Sequence, residues 1–82
     1  MVEKSITVPA FFEPSAVAML VQTASKFSSR ISLVLDEKTA NAKSIMGIIS
    51  LNMQEGKAIT IVAEGDDAAA AALAVENFFT GV

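Results

Sequence analysis

The side chains that most often perform acid–base, nucleophilic or metal chemistry are missing from this sequence of 82 residues, which contains no histidine, cysteine or tyrosine. Its acidic pairs, Asp36-Glu37 and Asp66-Asp67, lie at a predicted turn and a predicted helix start, where we expect solvated surface rather than a paired-carboxylate site. The glycines are isolated, so there is no glycine-rich phosphate loop. The sequence therefore argues against a conventional enzyme and predicts no metal site and no cofactor.

One hydroxyl group is placed where added charge would be stabilised. Residues 41–47 read N-A-K-S-I-M-G, a pattern in which a strand leads into Ser44 and Ser44 caps a short helix. A capping hydroxyl lies beside free backbone N–H groups and the positive end of the helix dipole. A phosphate there would find hydrogen-bond donors and would add about −1.5 to −2 units of charge to the surface. Ser44 is thus either a cap alone or a regulatory phosphorylation site, and the pattern leaves both open.

The short helix after Ser44 carries more apolar side chains than one helix face can bury, namely Ile45, Met46, Ile48 and Ile49. We expect one or two of them to face solvent, and an exposed apolar patch often marks a docking surface. Methionine suits such a surface because its flexible side chain adapts to more than one partner. The segment therefore predicts a partner-binding surface beside Ser44.

The rest of the chain must supply the elements that position this segment. Apolar residues recur with the periods of strands and of helices in the order β-α-β-β-α-β-α. The predicted strands span 2–8, 30–36, 38–43 and 58–64; the helices begin at Pro14, at Ser44 and after Gly65-Asp66-Asp67, the last burying Ala68, Ala72, Val75 and Phe79. Because strands and helices interleave without strict βαβ alternation, we expect a single α+β domain over residues 1–82, with the helices on one face of a four-stranded sheet.

Composition and charge exclude several other classes of protein. With 52% hydrophobic and 18% charged residues, the chain does not resemble a disordered segment. Its six basic residues are scattered among nine acidic ones, so no basic stripe predicts nucleic-acid binding. No apolar run approaches the roughly 18 to 20 residues that span a bilayer, and we expect no membrane insertion. The lack of cysteine and of a signal-peptide-like apolar stretch fits a cytoplasmic protein.

Three segments resemble, in the right order, parts of the histidine-containing phosphocarrier (HPr) family. Residues 41–47 with Ser50-Leu51 are similar to the signature around the family's regulatory serine. Leu20–Phe27 (L-V-Q-T-A-S-K-F) resembles its first helix, and Ile59–Asp67 (I-T-I-V-A-E-G-D-D) its fourth strand and the turn that follows. The resemblance implies the family's fold, an HPr-like open-faced β-sandwich in which three helices back a four-stranded antiparallel sheet.

The resemblance also implies a function, a set of partners and their sites. Ser44 matches the serine that the ATP-dependent HPr kinase/phosphorylase modifies to control sugar uptake and carbon catabolite repression in bacteria. Met46 and Ile49, with Ile45 beside them, match the patch through which the family docks on enzyme I, on sugar permease domains, on the kinase and on the catabolite control protein. A protein of the phosphoenolpyruvate-dependent sugar phosphotransferase system or of its regulation is therefore expected.

The sequence departs from the family where the phosphate acceptor belongs. Family phosphocarriers have G-[I/L]-H-A-R-P at the entry to the first helix, whereas residues 11–16 read F-F-E-P-S-A and keep none of that motif. Glu13 falls on the histidine position and Ser15 on the arginine position. Glu13 then either mimics a phosphate charge or merely caps the helix. Phe11 and Phe12 either bind a partner or close one end of the core.

Taken together, these features predict a regulatory protein that is switched at Ser44, cannot carry phosphate on histidine and has no enzymatic activity of its own. Two alternatives remain. One is a working phosphocarrier that uses Ser15 or Glu13 as the acceptor. The other is a binding module in which the loop over residues 9–15 recognises a new partner.

Overall fold

A computed structural model describes residues 1–9 and 14–80 of the chain, in seven elements that follow the predicted order. The strands are β1 (Val2–Thr7), β2 (Arg30–Leu35), β3 (Lys38–Asn41) and β4 (Ala58–Glu64), and the helices are α1 (Pro14–Ser25), α2 (Ile45–Leu51) and α3 (Ala68–Thr80). The bounds of β4 and the starts of all three helices agree with the prediction. The other strands end one or two residues early, and β3 does so because residues 42 and 43 already turn toward α2.

The four strands form one antiparallel sheet, as the resemblance implies, and their order in the sheet is β1-β4-β2-β3. β2 and β3 are joined by a tight turn in which Asp36 has φ 54°, a left-handed conformation that aspartate adopts more readily than most residues. Asp36 and Glu37 are exposed, as predicted for this acidic pair. α3 packs on β1, β4 and β2, while α2 packs on β3, so the helices back the sheet.

The core lies between the sheet and the helices. Alternate residues of the central strands are buried, among them Ile31, Leu33, Ile59 and Ile61, each no more than 1% exposed. The predicted inner stripe of α3 is confirmed, since Ala68, Ala72, Val75 and Phe79 are all buried. Alanines on this stripe let the α3 backbone approach the sheet closely, which is how a small domain reaches the packing density of a protein interior.

The two members of the Asp66-Asp67 pair differ in their surroundings, since Asp67 is half-buried rather than fully solvated. Asp66 is exposed. The Asp67 carboxylate accepts hydrogen bonds from the backbone N–H groups of Ser28 (3.0 Å) and Ser29 (2.9 Å) and from the Ser29 hydroxyl. These three bonds, which we call the Asp67 clamp, tie the turn after α1 to the start of α3.

Gly65 makes the Asp67 clamp possible because it allows two backbone segments to touch. It has φ +143°, and a Cβ atom here would lie 2.6 Å from the Ser29 Oγ and 2.8 Å from the Ser29 Cα. Any other residue would push Ser29, which is 2% exposed, away from this turn. The missing side chain therefore brings Ser29 within reach of Asp67.

The Asp67 clamp predicts a specific loss of stability in acid. The Ser29 hydroxyl first, and then the Ser28 N–H, hold the pKa of Asp67 below its usual 3.8. The charged carboxylate therefore stabilises the fold above the unfolded value, and that contribution disappears as the pH falls through the lowered pKa. In urea titrations from about pH 6 to pH 2, the free energy of unfolding should fall less steeply for Asp67→Asn than for the wild type. The exposed-site control Asp66→Asn should keep the wild-type slope, and equal slopes for Asp67→Asn and wild type would refute the assignment.

Candidate functional site

Ser44 is the N-cap of α2, as the sequence predicts. Its backbone is extended (φ −116°, ψ 114°), and its Oγ accepts a hydrogen bond from the Gly47 N–H at 3.1 Å. Its carbonyl accepts the first helical bond, from the Ile48 N–H, also at 3.1 Å. Upstream, the Asn41 side-chain oxygen accepts from the Lys43 N–H (2.8 Å) and the Asn41 carbonyl from the Ser44 N–H (3.0 Å). Hydrogen bonds therefore fix the backbone on both sides of the hydroxyl.

Gly47 leaves room for this cap. Glycine inside a helix costs about 1 kcal/mol relative to alanine, so its presence in α2 needs a reason. A Cβ atom at residue 47 would lie 3.3 Å from the Ser44 Oγ, closer than most such contacts, and 3.4 Å from the Ser44 Cβ, an ordinary contact. The glycine therefore spares the hydroxyl one close contact beside its hydrogen bond to the Gly47 N–H.

The electrostatic surroundings of Ser44 favour negative charge. Ser44 is half-buried. The first-turn N–H groups of Ile45 and Met46 have no acceptor within the helix, and no acidic residue occupies that turn. A dianion on Ser44 would therefore meet hydrogen-bond donors rather than repulsion.

Three apolar side chains of α2 face solvent, one more than the upper end of our expectation. Ile45 is 46% exposed, Met46 73% and Ile49 54%, and together we call them the apolar patch. Only Ile48 and Leu51 of this helix are buried. Two turns present one narrow face to the core, and the remaining apolar residues are left outside. The patch begins at the residue that follows the capping hydroxyl.

Met19 on α1 is a further exposed apolar residue, 60% exposed, which the sequence reading missed. α1 contacts α2, and neither helix contains a charged residue. The exposed surface of these two helices is therefore neutral. The absence of charge along both segments was the signal available in the sequence.

Lys43 is the second residue that sequence reasoning missed. Its ammonium group donates a hydrogen bond to the Phe27 carbonyl at 2.7 Å, just beyond the end of α1. The residue directly before Ser44 is thereby tied to the turn that follows α1. No local pattern predicts this bond, because its partners are 16 residues apart.

Of the four remaining predicted site residues, the structure describes only Ser15. Ser15 is exposed in the first turn of α1, which begins at Pro14 as expected. Phe11, Phe12 and Glu13 lie outside the described residues, so their predicted roles are untested.

Within residues 1–9 and 14–80, no group of three or more acidic side chains is arranged to hold a metal ion. Across the same residues, none of the helices has the length and apolarity needed to cross a bilayer.

An open cleft of about 660 Å³ lies at the far, C-terminal end of α2, away from Ser44. Its lining mixes Asp36 and Glu37 with Lys38 and Lys57, so their formal charges cancel and the cleft favours neither anions nor cations.

The chain is similar to known proteins over most of its length. A family model described as the PTS HPr component phosphorylation site matches residues 5–81. The phosphocarrier protein HPr of Treponema pallidum (strain Nichols) is 45% identical over 62 residues, which cover 76% of this chain and 70% of that protein. The HPr-like protein Crh of Halalkalibacterium halodurans is 42% identical over 69 residues, 82% of each chain. The crystal structure of HPr-C-His from Thermoanaerobacter tengcongensis is 42% identical, with a TM-score of 0.88, over 99% of this chain and 93% of that one.

The cap geometry predicts a measurable contribution of Ser44 to stability. Ser44→Ala removes the acceptor for the Gly47 N–H and should lower the free energy of unfolding by about 1 kcal/mol. Ser50→Ala, at an exposed serine of the same helix, is the matched control and should change it by less than about 0.5 kcal/mol. Urea denaturation of the three proteins checks this. Equal effects of the two substitutions would mean that the Ser44 bond contributes nothing.

Proposed function

The chain belongs to the HPr family of the sugar phosphotransferase system, and on that premise we propose that it is a regulatory member switched by phosphorylation of Ser44. An ATP-dependent HPr kinase/phosphorylase transfers the γ-phosphoryl group to the Ser44 Oγ, ADP leaves, and the hydroxyl proton is released. The phosphorylated protein then docks on the catabolite control protein in the cytoplasm. Enzyme I and sugar permease domains are further proposed partners for the same surface.

The placement of Ser44 is the observation that carries this proposal. Ser44 is half-buried, its hydroxyl lies at a helix start that favours negative charge, and the exposed apolar patch begins at the next residue. A docked partner would therefore contact both the apolar side chains and the phosphate added beside them. Adding the phosphate changes the recognition surface without requiring any rearrangement of the core.

The absence of histidine supports a regulatory role over phosphate transfer. These 82 residues contain no histidine, so the family's phosphohistidine cannot form on them. In our proposal Glu13 holds a permanent negative charge at that position, where a carboxylate next to the start of α1 is stabilised by about 0.3 to 1 kcal/mol. A role for Glu13 as a simple cap would leave the proposal for Ser44 unchanged.

The decisive experiment is phosphorylation in vitro. Purified protein incubated with an HPr kinase/phosphorylase and ATP should gain a single phosphate by mass spectrometry, located on Ser44 by fragmentation. Ser44→Ala should gain none, and Ser50→Ala should be phosphorylated like the wild type. Circular dichroism of each variant confirms that it is folded. An unmodified wild type, or a phosphate on any other residue, would defeat the proposal.

The apolar patch predicts where the kinase docks. Met46→Asp places a charge in the middle of the patch and should raise the KM for the kinase about tenfold, since buried contact residues dominate docking energies. The fold should be unaffected, because Met46 is 73% exposed. Leu73→Asp, at a 49% exposed leucine of α3, is the matched control and should leave KM unchanged. Equal KM values for wild type and Met46→Asp would place the docking surface elsewhere.

The exposure of Ser15 favours one second candidate, a phosphocarrier with a hydroxyl acceptor. Ser15 lies in the first turn of α1, where backbone N–H groups have no acceptor within the helix. Incubation with enzyme I and labelled phosphoenolpyruvate separates the two candidates. Label that survives on the wild type and is lost in Ser15→Ala would favour this candidate over the regulatory one.

A further inference from the structure

Lys43 supplies a cation that α1 itself lacks. Backbone carbonyls at the C-terminal end of a helix carry partial negative charge, and α1 has no basic residue in its last turn. The chain continues to turn after Ser25, with the Phe27 N–H bonded to the Ala24 carbonyl at 3.3 Å. The Lys43 ammonium donates to the Phe27 carbonyl at the end of this turn. A residue of the β3–α2 connection therefore holds the end of α1 in place.

Lys43 is also joined rigidly to Ser44. The hydrogen bond from its backbone N–H to Asn41 fixes its position, and the Cα atoms of consecutive residues are about 3.8 Å apart. A lysine side chain is long enough for its ammonium to reach a phosphate on the neighbouring residue. In our inference the same cation therefore has two competing acceptors, the Phe27 carbonyl in the unmodified protein and the phosphate added by the kinase.

We infer that Lys43 couples Ser44 to the end of α1, because its ammonium leaves the Phe27 carbonyl and pairs with the phosphate when Ser44 is phosphorylated. The inference rests on the proposed function and names the regulation of that site. A phosphate carries about −1.5 to −2 units of charge, far more than one carbonyl, so the exchange favours the phosphate. Lys43 is a positioning residue in this scheme, since the ATP γ-phosphoryl group is transferred to Ser44.

Movement of the Lys43 ammonium from the Phe27 carbonyl to the phosphate would loosen only one side of the turn over residues 26–29. The Asp67 clamp still holds the Ser28 and Ser29 N–H groups, so β2 keeps its register. The turn that follows α1 loses the Lys43 hydrogen bond, and α1, which carries the exposed Met19, contacts α2. Phosphorylation would thereby change the neutral surface of both helices as well as the charge at Ser44.

The first test asks whether Lys43 pairs with the phosphate. Phosphoserine is incorporated at residue 44 during translation, and the second pKa of the phosphate is measured by ³¹P NMR titration. The second pKa of the phosphate should be about half a unit lower when residue 43 is the natural lysine than in the Lys43→Met variant, because a paired cation favours the dianion. Lys43→Arg should restore the wild-type titration. Lys38→Met, at the far end of β3, is the matched control and should titrate like the wild type.

The second test asks whether the pairing releases α1. The Phe27 N–H, which is bonded to the Ala24 carbonyl, exchanges when the turn opens. Its exchange should become about fivefold faster on phosphorylation of the wild type, because the Lys43 bond to the Phe27 carbonyl no longer opposes that opening. In Lys43→Met it should be equally fast with and without the phosphate. An identical ³¹P titration in wild type and Lys43→Met, or unchanged Phe27 exchange in the wild type, would overturn the inference. Because phosphoserine is built in, a kinase that fails to modify Ser44 counts against the proposed function alone.

Discussion

The short length of α2 is the constraint on which the candidate site depends. A helix of seven residues is not stable in isolation, because the cost of nucleation is spread over few hydrogen bonds. It is held by two buried side chains, Ile48 and Leu51, by the Ser44 cap and by a left-handed residue, Asn52, whose N–H bonds to the Ile49 carbonyl at its end. Two turns can direct only one face inward. The cap hydroxyl and the exposed apolar patch are therefore two consequences of the same short helix.

The turn over residues 26–29 is held by contacts from two other parts of the fold. The Asp67 clamp holds it from the start of α3, and the Lys43 ammonium holds it from the connection that leads to Ser44. One of these two contacts is made by a carboxylate and the other by an ammonium group. A change of charge at Asp67 or at Lys43 would therefore weaken a contact to the turn that joins α1 to β2.

The chain keeps the family fold although its 82 residues contain no histidine. Capping, packing and strand pairing involve residues spread along the chain, whereas the segment that departs from the expected family motif is one short stretch, residues 11–16. None of the described core residues belongs to that stretch. The fold alone therefore does not decide the function, because function depends on sites carried by a fold.

Several features of this protein could be predicted from its sequence because they depend on interactions between neighbours along the chain. The bounds of β4 follow from alternating apolar residues, and the Ser44 cap involves a partner only three residues away, at Gly47. The sequence also showed that α2 holds more apolar residues than it can bury. It did not show that Asp67 binds Ser28 and Ser29, or that Lys43 reaches Phe27, since these pairs are 39, 38 and 16 residues apart. Periodicity and capping are properties of neighbours along the chain, whereas partners brought together by packing are decided only when the sheet and helices assemble.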